Sequence, residues 1–326
     1  MEIELRVLYN LLRMNWLKDP NLSVEPWKVD DYRSMGIEHL FQKLKACGFV
    51  LDKNNFLAFA ESIDTPEDLT ERLLEDFDDD SIEKDRIYLL VFELWRRLLP
   101  EKLCLSVFCD ELDHQIFLYD QGDAAGAESI QDAMTRLQMI LDENVDQGGK
   151  STEVFETVSS FCANDLESFL YDYIAEQIDN KNIFYSSELL DGFKEYLKTS
   201  KWFDLLKVRL LEFSDPEEAQ EQLRKLVQKA AKENDMLFNL EVLSFIVQSG
   251  EKGEFKKMVK KTVPLLENEE DFQDLLTICG DYFRCLDEDQ KEQTILSILE
   301  KRLEKPAEVA IDQHDPDVIA LLKSIK

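Results

Sequence analysis

A chain of 326 residues with 69 acidic and 38 basic side chains carries a formal charge of −31, and 44% of it is hydrophobic, so it can bury a core and is not a disordered chain. Its 10 Gly and 8 Pro are too few for a turn-rich β fold or for a linker. The charge opposes phosphate backbones and anionic lipid surfaces, so neither nucleic acid nor membrane is an expected partner.

The first 60 residues balance 8 acids with 8 bases, residues 61–146 carry 24 acids against 7 bases, and the remainder carries 37 against 23. Ile37, Leu40, Phe41, Leu44 and Cys47 recur at helical spacing. Thr65-Pro66-Glu67-Asp68 reads as a helix start, with a capping hydroxyl before a proline whose missing N–H costs nothing there. An acidic run, Asp76, Asp78, Asp79 and Asp80, opens a weak break over 76–85. Ile87, Leu90, Val91, Leu94, Trp95 and Leu98 then predict a strong amphipathic helix. Leu103, Leu105 and Val107 alternate like a strand, but the continuation through Glu111, Leu112 and Ile116 fits a helix equally well. The stretches Phe108 to Tyr119 and Trp202-Phe203 are rich in large apolar residues; most belong in the core, and any part left uncovered on a concave face would form a groove for a partner helix or peptide.

The main break falls at Asp142–Ser151, polar and glycine-bearing. Beyond it, Val154 to Ile174 keep helical spacing over five turns, and the chain then reads as helix pairs at 187–213, 216–249, 253–286 and 289–303. Asp215-Pro216 and Asp315-Pro316 mark further starts, and Pro264 ends or kinks a helix. A spacing of roughly 35 residues is that of helical-hairpin repeats, although no repeat consensus is present. The expected fold is all-α: an N-terminal helical domain over 1–146, acidic in its second half, and stacked antiparallel helical hairpins over 150–326. The hairpins form an α-solenoid-like superhelix or, alternatively, a multi-helix bundle.

Few motifs carry chemistry. Gly149-Lys150-Ser151-Thr152 resembles the end of a phosphate-binding loop, but Asn144 stands where that loop needs its first glycine and a helix precedes it. Asp142, Asn144, Asp146 and Glu153 occupy positions 1, 3, 5 and 12 of a calcium loop, with Gln147 where the sharp turn requires glycine. Glu111 and His114 have the Glu-x-x-His spacing of half a di-iron site, and the other two histidines, His39 and His314, supply no second half. The six cysteines include no C-x-x-C pair, the opening residues lack a basic signal-peptide region, and no apolar run approaches the roughly 20 residues a bilayer requires. A reduced, cytoplasmic chain without a cofactor is expected.

Lys252, Lys256, Lys257, Lys260 and Lys261 stand out against the acidic background. Four of them (256, 257, 260 and 261) share one helix face, opposite Phe255, Met258, Val259 and Thr262. The expected function is a non-catalytic interaction scaffold or adaptor for a protein or peptide of basic character. Asp76, Asp78, Asp79, Asp80 and the lysines 256, 257, 260 and 261 are its candidate contacts. The competing readings are a metal-dependent helical protein, regulated by calcium at 142–153 or hydrolytic through carboxylates, and an acidic mimic of nucleic acid.

Overall fold

A computed structural model describes residues 4–75, 81–122, 124–198, 200–230, 232–249 and 252–325. They form eighteen α-helices with no strand among the described residues, so the chain is all-α. No described helix is long and apolar enough to cross a membrane. The chain divides into two compact units. One runs to Leu170 and includes Glu195–Lys198; the other comprises Tyr171–Lys194 and the chain beyond Lys198. The division falls inside α10 (Leu166–Asp179) and not at the break near residue 146. That break is only a short turn at 147–150. α8 (Ala124–Asp146) and α9 (Ser151–Ser160) pack against each other across it, so it separates no cores.

The first unit is built around α6 (Ser81–Leu98). Every residue from Ile87 to Trp95 is buried, including Glu93 at 0% exposure. The sequence pattern implies a one-sided helix, but Tyr88, Leu89 and Phe92 fill the remaining faces, which suits a helix enclosed on all sides. α3 (Ile37–Ala46) packs on it through Leu40, Phe41 and Leu44, and α5 (Pro66–Leu74) through Leu69. Thr65 caps α5 by accepting from the Asp68 amide, and Lys102 Nζ donates to the carbonyls of Ala60, Glu61 and Ile63 at the end of α4 (Lys53–Ala60). α7 (Leu105–Asp120) starts inside the strand-like alternation: Leu103 precedes it in irregular chain, and Leu105 and Val107 lie in its first turn.

The second unit contains α11 (Ile183–Phe193), α12 (Ser200–Ser214), α13 (Pro216–Ala230), α14 (Met236–Ser249), α15 (Lys252–Thr262), α16 (Glu269–Cys285), α17 (Asp289–Arg302) and α18 (Pro316–Ser324). Neighbours α12 and α13, α14 and α15, and α16 and α17 pack together; α14 also packs on α12 and α16. Phe255, Met258, Val259 and Thr262 are fully buried, and the opposite face of α15 carries the lysines. Pro264 lies in a single 3-10 turn that ends α15. Past α17 the chain returns to α16, where the Glu269 and Glu270 amides, unpaired within their own helix, donate to Val309 and Ala307 carbonyls. The fully buried Arg302 fixes this return. It binds Glu269 at 3.1 Å and Asp315 at 2.7 Å and lies over the Phe272 ring.

Candidate functional site

α7, α8 and α9 meet in the first unit around a groove of about 510 Å³. Its floor is Phe108 and Val158, both buried, with Leu105, Ile140 and Val154 on the walls. Leu103 and Met139 stand on the same lining yet are 54% and 56% exposed, so this apolar row is left uncovered. Arg136 lies over the Phe108 ring, and Glu143, Asn144 and Thr157 make the polar edge.

Local chemistry sets this shape. α8 ends in a turn where Gly148 adopts φ +103°, a conformation that favours glycine, and its amide donates to the Val145 carbonyl. At Gly149 a β-carbon would sit 2.5 Å from Val154 Cγ2 and 2.9 Å from the Asn144 carbonyl oxygen. The glycine pair therefore lets α9 fold back tightly on α8, which brings Val154 and Val158 opposite Met139 and Ile140. At the far end of α9, Asp113 accepts from the Ala163 and Asn164 amides and holds the turn into α10; burial raises its carboxyl despite those donors.

A second place on the first unit concentrates charge. The Asp110 carboxylate, with a side chain 2% exposed, accepts from Arg6 and Arg33, each at 2.6 Å, and from Asn10 at 2.9 Å. Burial alone would raise this carboxyl; the two guanidinium groups reverse that and hold it at about 2. Arg33 also binds Glu111 at 2.8 Å. Glu93 holds Arg96 and Arg97, and Arg97 reaches the carbonyls of Tyr32, Arg33 and Met35. His114 is half-buried beside Arg33; burial and that cation lower its pKa, so its ring is neutral at neutral pH. A carboxyl fixed near 2 exchanges no protons at neutral pH, and its partners are committed to it. The cluster ties α1 (Glu4–Lys18) and the segment before α3 to α7.

The sequence candidates fall as follows. Asp142, Asn144 and Asp146 lie in the last turns of α8 and not in a loop, which corrects the calcium-loop reading. Asp142 accepts from the Tyr196 hydroxyl, the Asn144 amide donates to the Ile140 carbonyl, and Glu153 pairs with Lys150 at 2.6 Å. On a helix the middle one of the three points away from the other two, so the four do not converge. No group of three metal-ligating side chains gathers among the described residues. Asp76, Asp78, Asp79 and Asp80 lie outside the described residues. Lys257 pairs with Glu254, and Lys260 and Lys261 are exposed on α15, which presents them on an outer surface. Lys256 is half-buried on the same helix. Trp202 packs on Tyr171 and Phe238 within the second unit and serves the core.

Sequence reasoning anticipated that part of the Phe108 to Tyr119 run could line a groove, but not that Met139 and Val158 complete it, because three separate segments must meet. No protein-family model, no curated protein and no solved structure matches the chain.

Proposed function

We propose that the protein is a non-catalytic interaction module and that the groove between α7, α8 and α9 receives an amphipathic helix with basic flanks from a partner protein. The observation that carries this reading is the uncovered apolar lining, with Leu103 and Met139 more than half exposed above a floor of Phe108 and Val158. The basic character follows from the surrounding helices. Asp132, Asp142, Glu143 and Asp146 are exposed on α8, while Glu153 and Glu156 on α9 already pair with Lys150 and Lys198. Arg136 is the one basic residue on the groove lining. Such a field speeds and orders encounter more than it adds affinity. Flexible methionine at a groove edge suits a surface that adapts to its ligand.

A labelled helical peptide of about 18 residues, long enough for five turns, tests this by fluorescence anisotropy. One version has a leucine stripe with lysines on the remaining face, the other glutamates. Saturable binding of the lysine peptide alone, lost in Leu103→Glu and Met139→Glu, supports the reading. Full burial of a methionine contributes roughly 1.5–3 kcal/mol, so Met139→Glu weakens binding by about tenfold or more. Equal binding of both peptides, or binding indifferent to Met139→Glu, overturns it.

A further inference from the structure

Away from the groove, the second unit holds a cavity of about 180 Å³ where the end of α11 meets α12 and α13. Four lysines line it: Lys194 at the C-cap of α11, Lys207 on α12, and Lys225 and Lys229 one turn apart on α13. Buried Val208 and Leu226 give it an apolar floor. Asp204 is the one carboxylate on the lining.

The pairing is incomplete. Lys229 lies 3.7 Å from Asp204, and Lys225 is held at 2.6 Å by Glu221. The Gln222 amide, also on the lining, donates to Glu218 at 2.6 Å, and that carboxylate together with Glu221 acts on Lys225, so the counter-charge on α13 is spent on that lysine. Lys194 and Lys207 have no carboxylate within ion-pair distance among the described residues. Two ammonium groups are thus left without a counter-charge at one concave point, in a chain whose formal charge is −31. The lysines of α15 differ in kind, since they form a stripe along one helix. The cavity draws its cations from three helices around an open concavity.

We infer that this cavity binds a phosphoryl dianion, either free phosphate or the phosphate end of a small phosphomonoester. Two surplus positive charges match its two negative charges. Each ammonium carries three rotatable donors, which suits a compact oxyanion approached from several sides. A volume below the roughly 300 Å³ at which drug-sized ligand pockets begin favours one phosphoryl group over a nucleotide.

Calorimetric titration of the full chain with inorganic phosphate, and separately with glycerol 3-phosphate, tests the site. Saturable one-to-one binding is expected, weakened about fivefold or more by Lys207→Ala and by Lys194→Ala. Both lysines are exposed, so the circular-dichroism spectrum and melting curve of each variant remain those of the parent chain. Lys260→Ala on α15 leaves the affinity unchanged. Binding strengthens from pH 5.5 to 7.5 as the phosphomonoester, with a second pKa near 6, loses its last proton. Tighter binding of the ester assigns an organic ligand, and equal binding assigns free phosphate; both support the site. It is overturned if millimolar phosphate gives no saturable heat, if sodium chloride at equal ionic strength reproduces the signal, or if Lys260→Ala weakens binding as much as Lys207→Ala.

Discussion

Replacing Asp110 by Asn tests whether the charge cluster holds the first unit together. The change keeps the side-chain shape but removes the charge that two guanidinium groups approach to 2.6 Å. It also turns one acceptor into a donor facing a cation. The carboxyl falls from an ordinary 3.8 to about 2 on folding, a shift worth roughly 2.5 kcal/mol at about 1.4 kcal/mol per unit. Breaking a buried pair from one side typically costs about 3–5 kcal/mol, because the partner charge remains. A loss of about 3 kcal/mol is therefore expected. Urea unfolding followed by tryptophan fluorescence measures it in a Trp202→Phe background, where Trp16, Trp27 and Trp95 all report on the first unit. The sign with pH follows from the lowered carboxyl. Its stabilisation is present above about pH 4 and is lost as the pH falls toward 2, so the gap between the two proteins should narrow by about 2 kcal/mol over that interval. A midpoint shift worth less than about 0.5 kcal/mol, within the range of ordinary surface substitutions, or a gap unchanged by acid, would refute the reasoning.

Other consequences follow from single contacts. Leu276→Asp places an unpaired charge at a position with 0% exposure and should cost more than about 4 kcal/mol, seen as loss of the cooperative melt of the second unit; an unchanged melting curve would show the core face misassigned. Tyr88→Phe removes the hydroxyl that donates to buried Glu67 at 2.7 Å and should destabilise by about 1–3 kcal/mol in a urea melt, since the carboxylate loses a donor it cannot replace with water. Gly149→Ala drives a methyl group into Val154 and the Asn144 carbonyl; faster amide hydrogen exchange in the first turn of α9 and weaker peptide binding are expected, and wild-type exchange would contradict the role given to that turn.

The helices were legible because burial follows a period of 3.6, and the caps at Thr65, Asp215 and Asp315 each accept the amide their spacing requires. The helices of the second unit were readable but their pairing was not: spacing joined 216–249 and 253–286 as hairpins, whereas α12 packs chiefly with α13, α14 with α15 and α16 with α17. The enclosure of α6 was not: periodicity marks the face of Leu90 and Leu94, while the burial of Glu93 depends on Arg96 and Arg97 and on what surrounds them. The polar run 142–151 looked like a domain boundary because composition reports turn chemistry and not whether the flanking helices pack together. For the same reason Asp142, Asn144 and Asp146 matched a loop pattern while continuing a helix. The groove and the Asp110 cluster join residues far apart in the chain, such as Arg6 with Asp110, and no local pattern encodes such meetings.

The most direct test of the interaction reading is a quantitative comparison of proteins captured from native cytosol by the wild-type chain and by the Leu103→Glu, Met139→Glu double variant, at low and high salt. Both substitutions fall on exposed side chains, so the melting curve should stay unchanged. The expected result is a defined set of partners retained by the wild type, reduced but not abolished by salt, and absent with the variant. The same proteins captured by both chains would contradict the groove as the binding surface.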